Sequence, residues 1–315
     1  EIDDVSKQKE FLDFGDVTYT EKNRAVVKVQ DGCNMFCSYC IIPYARGRIR
    51  SRKIESVVSE IEKIANEDIK EVVITGIHVA SYGKDFDNEN TSKKIRLIDL
   101  LEAINKIDGI DRIRLSSLEP TIVDEEFATR ISKLDKICDH FHLSLQSGCD
   151  ETLKRMNRKY TTQIYRDAVA TLRKYYPEAS FTTDVIVGFP GETEDLFMET
   201  YKFIEKLKFM RLHVFPYSPR PGTLAASLKD QIPGNIKKER VHRLIDLGNK
   251  LQEEYIKFCN GQTFVFLAEK VIKKDGKLIY QGYLDNYLEI SVECEKDILS
   301  KLVKVKVDNG KFLIV

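Results

Sequence analysis

At 315 residues the chain exceeds one ordinary domain, and a large domain with a small companion is expected. A composition of 42% hydrophobic and 32% charged residues predicts a soluble globular fold, and no apolar run approaches the length of a membrane span. Lys plus Arg (50) equal Asp plus Glu (50), so bulk charge gives no argument for nucleic acid or a membrane surface, and an anionic partner must be met by a local patch.

Residues 1–23 are polar and irregular and read as a linker; with Glu1 where an initiator Met is usual, a portion upstream is expected to be missing. From 24 to 234, short β-rich runs alternate with helical periodicity. The strands are "AVVKVQ" (Ala25–Gln30), "EVVITG" (Glu71–Gly76), "RIRLSS" (Arg112–Ser117), "HFHLSLQ" (His140–Gln146), "SFTTDVIVG" (Ser180–Gly188) and "RLHVFPY" (Arg211–Tyr217). Between them, "ESVVSEIEKIANE" and "LIDLLEAINKI" carry apolar residues at helical spacing. Six such units point to a partial (β/α) barrel of the α/β class, with a doubly wound sheet as the alternative. A long charged helix over 235–260 links this domain to residues 261–315. There "TFVFLAEKV", "KLIYQGYL", "YLEISVE", "LVKVKV" and "KFLIV" predict a small antiparallel β-barrel.

The first strand leads directly into "DGCNMFCSYC" (Asp31–Cys40), where Cys33, Cys37 and Cys40 have the spacing C-x3-C-x2-C. Barrel enzymes gather their chemistry at such strand ends. Seven cysteines in all, an odd number, suit a reducing, cytoplasmic setting better than a disulfide framework. Thiolates are the usual ligands of iron–sulfur clusters, and three of them on a four-iron cubane leave one iron open to a non-protein ligand. The alternatives are a zinc ion completed by His78, His140 or His142, and three inert buried thiols.

With Tyr39 just before the third cysteine, the motif resembles the radical S-adenosylmethionine (SAM) superfamily. "GCNMFCSYCIIPYARGRIRSR" is similar to its methylthiotransferases, which replace a C–H bond by C–S–CH3. "ITGIHVASYG" (Ile74–Gly83), "HLSLQSGCDETLKRMNRKYT" (His142–Thr161), "TTDVIVGFPGETEDLF" (Thr182–Phe197) and "HVFPYSPRPGTLAA" (His213–Ala226) continue the likeness in order. It implies a partial (β/α)6 TIM-like barrel and a 4Fe–4S cluster on the three cysteines, with SAM on the open iron. It also implies an electron donor such as flavodoxin or ferredoxin, and a sulfur donor. "GIHVASYG" and "YCIIPYARG" are most similar to the MtaB-type branch, which acts on tRNA carrying N6-threonylcarbamoyladenosine beside the anticodon. Branches acting on isopentenyladenosine tRNA or on a ribosomal-protein aspartate are the alternatives. Family members carry a preceding N-terminal domain with a second 4Fe–4S cluster. The chain starts after it, so a form that binds SAM without completing sulfur insertion is expected. The closing β segment resembles the TRAM domain, an RNA-binding module. A metal-stabilised RNA-binding protein without catalysis is the alternative of a different class.

The resemblance also implies Tyr39 near the SAM adenine, and Thr75, Gly76, His78, Ser116, Gln146, Ser147 and Arg158, at or soon after strand ends, around SAM. Asp184 lies within an apolar strand, which is costly unless it faces the lumen, where it would orient substrate or relay a proton. Arg46, Arg48 and Arg50 in the run "ARGRIRSRK", with Arg220 beyond the sixth strand, are the expected tRNA contacts. Tyr280, Tyr283, Tyr287, Lys304 and Lys306 are weaker RNA candidates, since alternating aromatics in strands are more often core. In "GFPGET", Gly191 is expected to make a turn and Thr193 to cap a helix.

Overall fold

The computed structural model describes residues 7–13, 23–88 and 94–315; of the expected linker, residues 1–6 and 14–22 lie outside the described residues. Two parallel sheets form one wall. In the first, β1 (Arg24–Asp31) lies between the short antiparallel β2 (Arg50–Ser51) and β3 (Glu71–Gly76), with β4 (Arg112–Leu115) beyond β3. In the second, β5 (His140–His142), β6 (Ser180–Val187) and β7 (Arg211–Pro216) follow in order. Isolated parallel bridges Ile113–Ile137 and Leu118–Leu143 join the two sheets, so six parallel strands run side by side as a partial barrel.

Helices cover the outer face. They are α1 (Ile42–Arg46), α2 (Ile54–Asn66), α3 (Leu97–Ile104), α4 (Glu125–Ile131), α5 (Asp150–Arg155), α6 (Thr162–Tyr175), α7 (Glu194–Leu207) and α8 (Gly234–Phe258). Local sequence starts several of them. Asp124, Thr161 and the expected cap Thr193 accept the amide hydrogens of Phe127, Ile164 and Leu196, and Gly191 turns the chain before α7 at φ +81°. Because strand side chains alternate, one set packs outward and the other lines the lumen. Val27, Val29, Val72, Ile74, Ile113, Leu115, Phe181, Val185 and Val187 are buried with Ile61, Leu101, Leu172, Phe197 and Leu244 of the helices. That assigns Thr75, Arg114, Ser116, His142, Asp184 and His213 to the inner face.

The closing segment is an antiparallel sheet. β8 (Thr263–Lys274), β9 (Lys277–Leu284), β10 (Glu289–Glu293), β11 (Leu302–Asp308) and β12 (Lys311–Ile314) take the order β10-β9-β8-β11-β12, and the edge strands β10 and β12 approach each other. Asp275-Gly276 and Asn309-Gly310, all at positive φ, make the two-residue hairpins that keep β8–β9 and β11–β12 in register.

This sheet closes the N-terminal ends of the barrel strands. Glu71 is 1% exposed and pairs at 2.8 Å with both Arg112 and Arg114. The two guanidiniums donate onward to the carbonyls of Leu284 and Asp285. Tyr287 stacks on His140 at 4.5 Å and on Tyr283 at 4.8 Å, while Tyr280 is buried in the sheet's own core. The three tyrosines therefore serve packing and domain contact rather than an open stacking surface. Lys304 and Lys306 on β11 stay exposed.

Candidate functional site: the cysteine loop and barrel rim

The loop after β1 is held at both ends. Asp31 accepts from Gly32 N (2.7 Å), Lys28 Nζ (2.7 Å) and Arg46 Nη2 (2.6 Å). Burial alone would push its carboxyl up, but Arg46 and Lys28 outweigh it and hold it near about 2. Gly32 stands at φ +68°, and a Cβ there would lie 1.8 Å from the Arg48 carbonyl oxygen, so only glycine fits. Beyond it, Cys33 N donates to Gly47 O, Ser38 N to Met156 O, Asn157 Nδ2 to Phe36 O and Ala225 N to Ser38 O. Turns far along the chain thus shape the cysteine loop.

Within that loop Cys33 and Cys37 are buried and Cys40 half-buried. The three thiols are electrostatic neighbours: burial first, then Cys37 and Cys40, push Cys33 up to about 11, and burial with Cys37 raises Cys40. Arg158 Nη1 donates to Cys37 Sγ at 3.1 Å, and its other nitrogens reach Tyr160 OH and Glu119 Oε1, each at 3.1 Å. The second Glu119 oxygen meets His78 Nε2 at 3.1 Å, and His78 Nδ1 lies 2.6 Å from Ser81 Oγ. Burial raises the Glu119 carboxyl, yet His78 and Arg158 bring it below the ordinary value. A part-buried hydrogen-bonded relay therefore runs from His78 through Glu119 to Arg158 and ends on Cys37 Sγ.

Among the described residues no group of three or more His, Cys, Asp or Glu side chains is placed to hold a metal ion. A zinc site needs four ligands converging on one centre. A cubane instead spreads three thiolates over three irons, and the donor set fits it: three neighbouring thiols, one already receiving a guanidinium hydrogen bond that suits a thiolate.

The expected SAM residues divide. His78 and Arg158 join the relay just described. Tyr39 packs edge-on against Phe189 (6.4 Å), and burial, followed by Cys37 among its acidic neighbours, drives its hydroxyl pKa well up. Thr75 faces the lumen, Gly76 is needed where a Cβ would meet Gln30 at 2.9 Å, and Ser116 Oγ is buried without a hydrogen-bond partner. Gln146 closes the fourth strand at φ +66°, its amide donating to Asp184 O.

Ser147 departs from expectation. It follows Leu143 and Leu145 onto the outer, helix-covered side, where its hydroxyl meets Thr200 Oγ1 of α7 at 3.0 Å, away from the lumen. Arg50 also departs: it is 3% exposed and donates to the carbonyls of Arg46 and Arg48, bracing the loop instead of facing RNA. Arg46, Arg48 and Arg220 are exposed at the rim, with Arg48 over the Phe36 ring at 4.8 Å. Sequence reasoning missed Asn157 and Tyr160, which position the loop and Arg158. It also missed His213, which the period of two places on the same face as Asp184.

A family model described as "Radical SAM superfamily" matches residues 27–204. The chain is 41% identical over 97% of its length to the threonylcarbamoyladenosine tRNA methylthiotransferase MtaB of Bacillus subtilis (strain 168), covering 67% of that protein. It is 38% identical over 98% of its length to the tRNA-2-methylthio-N(6)-dimethylallyladenosine synthase of Thermoanaerobacter pseudethanolicus, covering 64% of it. The chain thus spans about two thirds of the length of these relatives. Among solved structures, the radical SAM methyltransferase TsrM from Kitasatospora setae, with cobalamin and a [4Fe-4S] cluster bound, shares the fold at TM-score 0.52 and 20% identity, over 64% of this chain and 38% of that one. Motif, barrel and relatives agree, and the chain belongs to the radical SAM superfamily and, within it, to the tRNA methylthiotransferases.

Proposed function

We infer that the chain is the SAM-binding part of an enzyme that places a methylthio group on carbon 2 of N6-threonylcarbamoyladenosine, beside the anticodon of tRNA. The observation that carries this reading is the trio Cys33, Cys37 and Cys40 at the C-terminal end of β1, with Arg158 on one sulfur. Those cysteines would hold a 4Fe–4S cluster and leave one iron for SAM. Bound together, the two groups supply a carbon-centred radical, which the task requires because the C–H at carbon 2 of adenine is too weakly acidic for a side-chain base.

The chain's own residues do the rest. Arg158 balances thiolate charge at Cys37, Glu119 fixes Arg158 and His78, and the closed base of the barrel helps keep water from the lumen. Arg46, Arg48 and Arg220 give tRNA phosphates a basic rim, and the antiparallel sheet is read as a TRAM-like RNA-binding domain. A flavodoxin or ferredoxin would provide the electron, and a separate donor the sulfur. None of the helices among the described residues is long and apolar enough to cross a membrane.

Anaerobic reconstitution tests the chemistry. About four iron and four sulfide per chain, with 5′-deoxyadenosine formed from SAM on reduction, is the expected result; a colourless zinc protein overturns it. Nucleoside mass spectrometry of tRNA from a deletion strain tests the substrate: loss of the methylthio form of threonylcarbamoyladenosine is expected, and loss of only the dimethylallyl form moves the chain to the other branch.

A further inference from the structure

Below the cysteine loop, the inner wall of the barrel carries polar groups that the fold does not use. On β6, Phe181, Val185 and Val187 pack outward, so Thr182 and Asp184 point inward. Asp184 is in register with His213 on β7, and His142 on β5 is in register with Thr182. The four side chains meet. Thr182 Oγ1 lies 2.9 Å from His142 Nδ1 and 2.8 Å from His140 Nε2, which fixes both rings. His142 Nε2 then lies 3.3 Å from Asp184 Oδ2, too poorly aligned for a hydrogen bond, and the His142 and His213 rings are 5.7 Å apart.

What distinguishes this cluster is unmet capacity. His142 Nε2 is buried yet makes no hydrogen bond, and Ser116 Oγ on the same face is in the same condition. Asp184, its side chain 30% exposed, has no hydrogen-bond donor among the described residues and only the His142 ion contact, and the half-buried His213 has no hydrogen-bond partner there. A buried polar atom left unpaired is costly, and two of them beside a half-exposed carboxylate and imidazole with free capacity mark a place where a polar ligand would satisfy them. Burial lowers the His213 pKa, with Asp184 opposing, so the ring acts as a neutral donor and acceptor. A carboxylate acceptor, two imidazoles and a hydroxyl match a group rich in N–H, O–H and carbonyl functions. Arg211, two residues before His213 on the same face, is engaged by Glu289 at 3.6 Å and the Tyr287 ring at 6.0 Å and lies outside the cluster. The threonylcarbamoyl substituent offers urea N–H groups, a carbonyl, a hydroxyl and a carboxylate. A dimethylallyl substituent is a hydrocarbon and would leave every one of these protein atoms unpaired.

We propose that His142, Asp184 and His213 form the subsite that reads the N6-threonylcarbamoyl group, and so decide which modified adenine is accepted. This rests on the substrate reading given above and assigns Asp184 to orienting substrate rather than moving a proton. The test is binding. Anticodon stem-loop RNAs carrying adenosine, N6-threonylcarbamoyladenosine or N6-dimethylallyladenosine are titrated into the reconstituted, SAM-loaded chain, and the ratios of their dissociation constants are compared. The wild type is expected to favour the threonylcarbamoyl RNA over the dimethylallyl RNA by at least about tenfold, as a site built on hydrogen bonds rejects a partner lacking them. Asp184→Leu and His213→Leu, checked for an intact circular dichroism melt, are expected to bring that ratio below about threefold, and His213→Asn, which keeps a donor and an acceptor, to retain part of it. If the wild type discriminates and both leucine variants keep its ratio, the subsite is wrong while the substrate reading stands. If the wild type prefers the dimethylallyl RNA, or neither, the substrate reading falls and the subsite with it.

Discussion

Glu71→Gln offers a sharp test of how the barrel and the closing sheet are held together. The carboxylate is fully buried between Arg112 and Arg114, each 2.8 Å away and each nearly buried. The amide keeps the shape and removes the charge, so two guanidiniums remain in a dry site with backbone carbonyls as their other partners. Removing one partner of a buried pair costs about 3–5 kcal/mol, roughly two to four factors of ten in the folding equilibrium. Burial pushes the Glu71 carboxyl up, but Arg114 and Arg112 more than offset this and the net shift is down. A depressed native pKa gives stability that is present above the unfolded value of 4.5 and lost as pH falls through the native one. Urea unfolding of wild type and variant at pH 7 and pH 4 is the assay, and the gap between them should narrow at the lower pH. Glu71→Gln combined with Arg114→Met should recover part of the loss, because the cost lies in the stranded charge. A variant within about 0.5 kcal/mol of wild type at pH 7, the range of an ordinary surface change, would refute the reasoning.

Three further outcomes can be checked. Gly32→Ala forces a Cβ against the Arg48 carbonyl and should lose most bound iron after reconstitution while its far-ultraviolet circular dichroism stays barrel-like; full iron content would show that the loop can yield. Asp139 is held up to about 6 by burial, with Asp285 and Glu178 adding to it, so its contribution is present below about 4 and lost as pH rises through 6. Asp139→Asn should therefore stabilise the chain by about 1–2 kcal/mol at pH 8, after allowance for solvent screening, and by almost nothing at pH 4 in urea melts. Arg48→Ala should weaken tRNA binding and reduce the slope of log affinity against log salt by about 0.7–0.9. An unchanged slope would place the phosphate contacts elsewhere.

The order of elements was legible because each strand and helix carries its own period. The runs starting at Ala25, Glu71, Arg112, Ser180 and Arg211 became strands within a residue or two, and the helix expected over 235–260 spans Gly234–Phe258. The cysteine spacing was legible for the same reason: its meaning lies within eight residues of chain. Arg50 was misread because its burial is made elsewhere. In the run "ARGRIRSRK" it resembles any solvated arginine, but β2 pairs with β1 so that Arg50 sits beside Asp31 and is covered. No local pattern encodes that pairing. Arg112 and Arg114 hid in the same way, since only a sheet arriving more than 150 residues later supplies the carbonyls they donate to.

The inner face shows where local reading stops more generally. Alternation alone places Asp184 and His213 each on a lumen-facing position, but whether they meet depends on register between strands, which hydrogen bonds set and sequence does not print. Alternation does put Ser147 on the outer side, with Leu143 and Leu145, but its partner there, Thr200 on α7, and the φ of +66° at Gln146 just before it are written in no local pattern. A residue directly after a strand inherits its direction from the turn, and the turn is decided by what the backbone must pair with. Here that partner is Asp184, whose carbonyl accepts the Gln146 amide while Gln146 O accepts from Ile186 N. The same strand that presents Asp184 to the lumen thereby fixes the bend after which Ser147 meets Thr200.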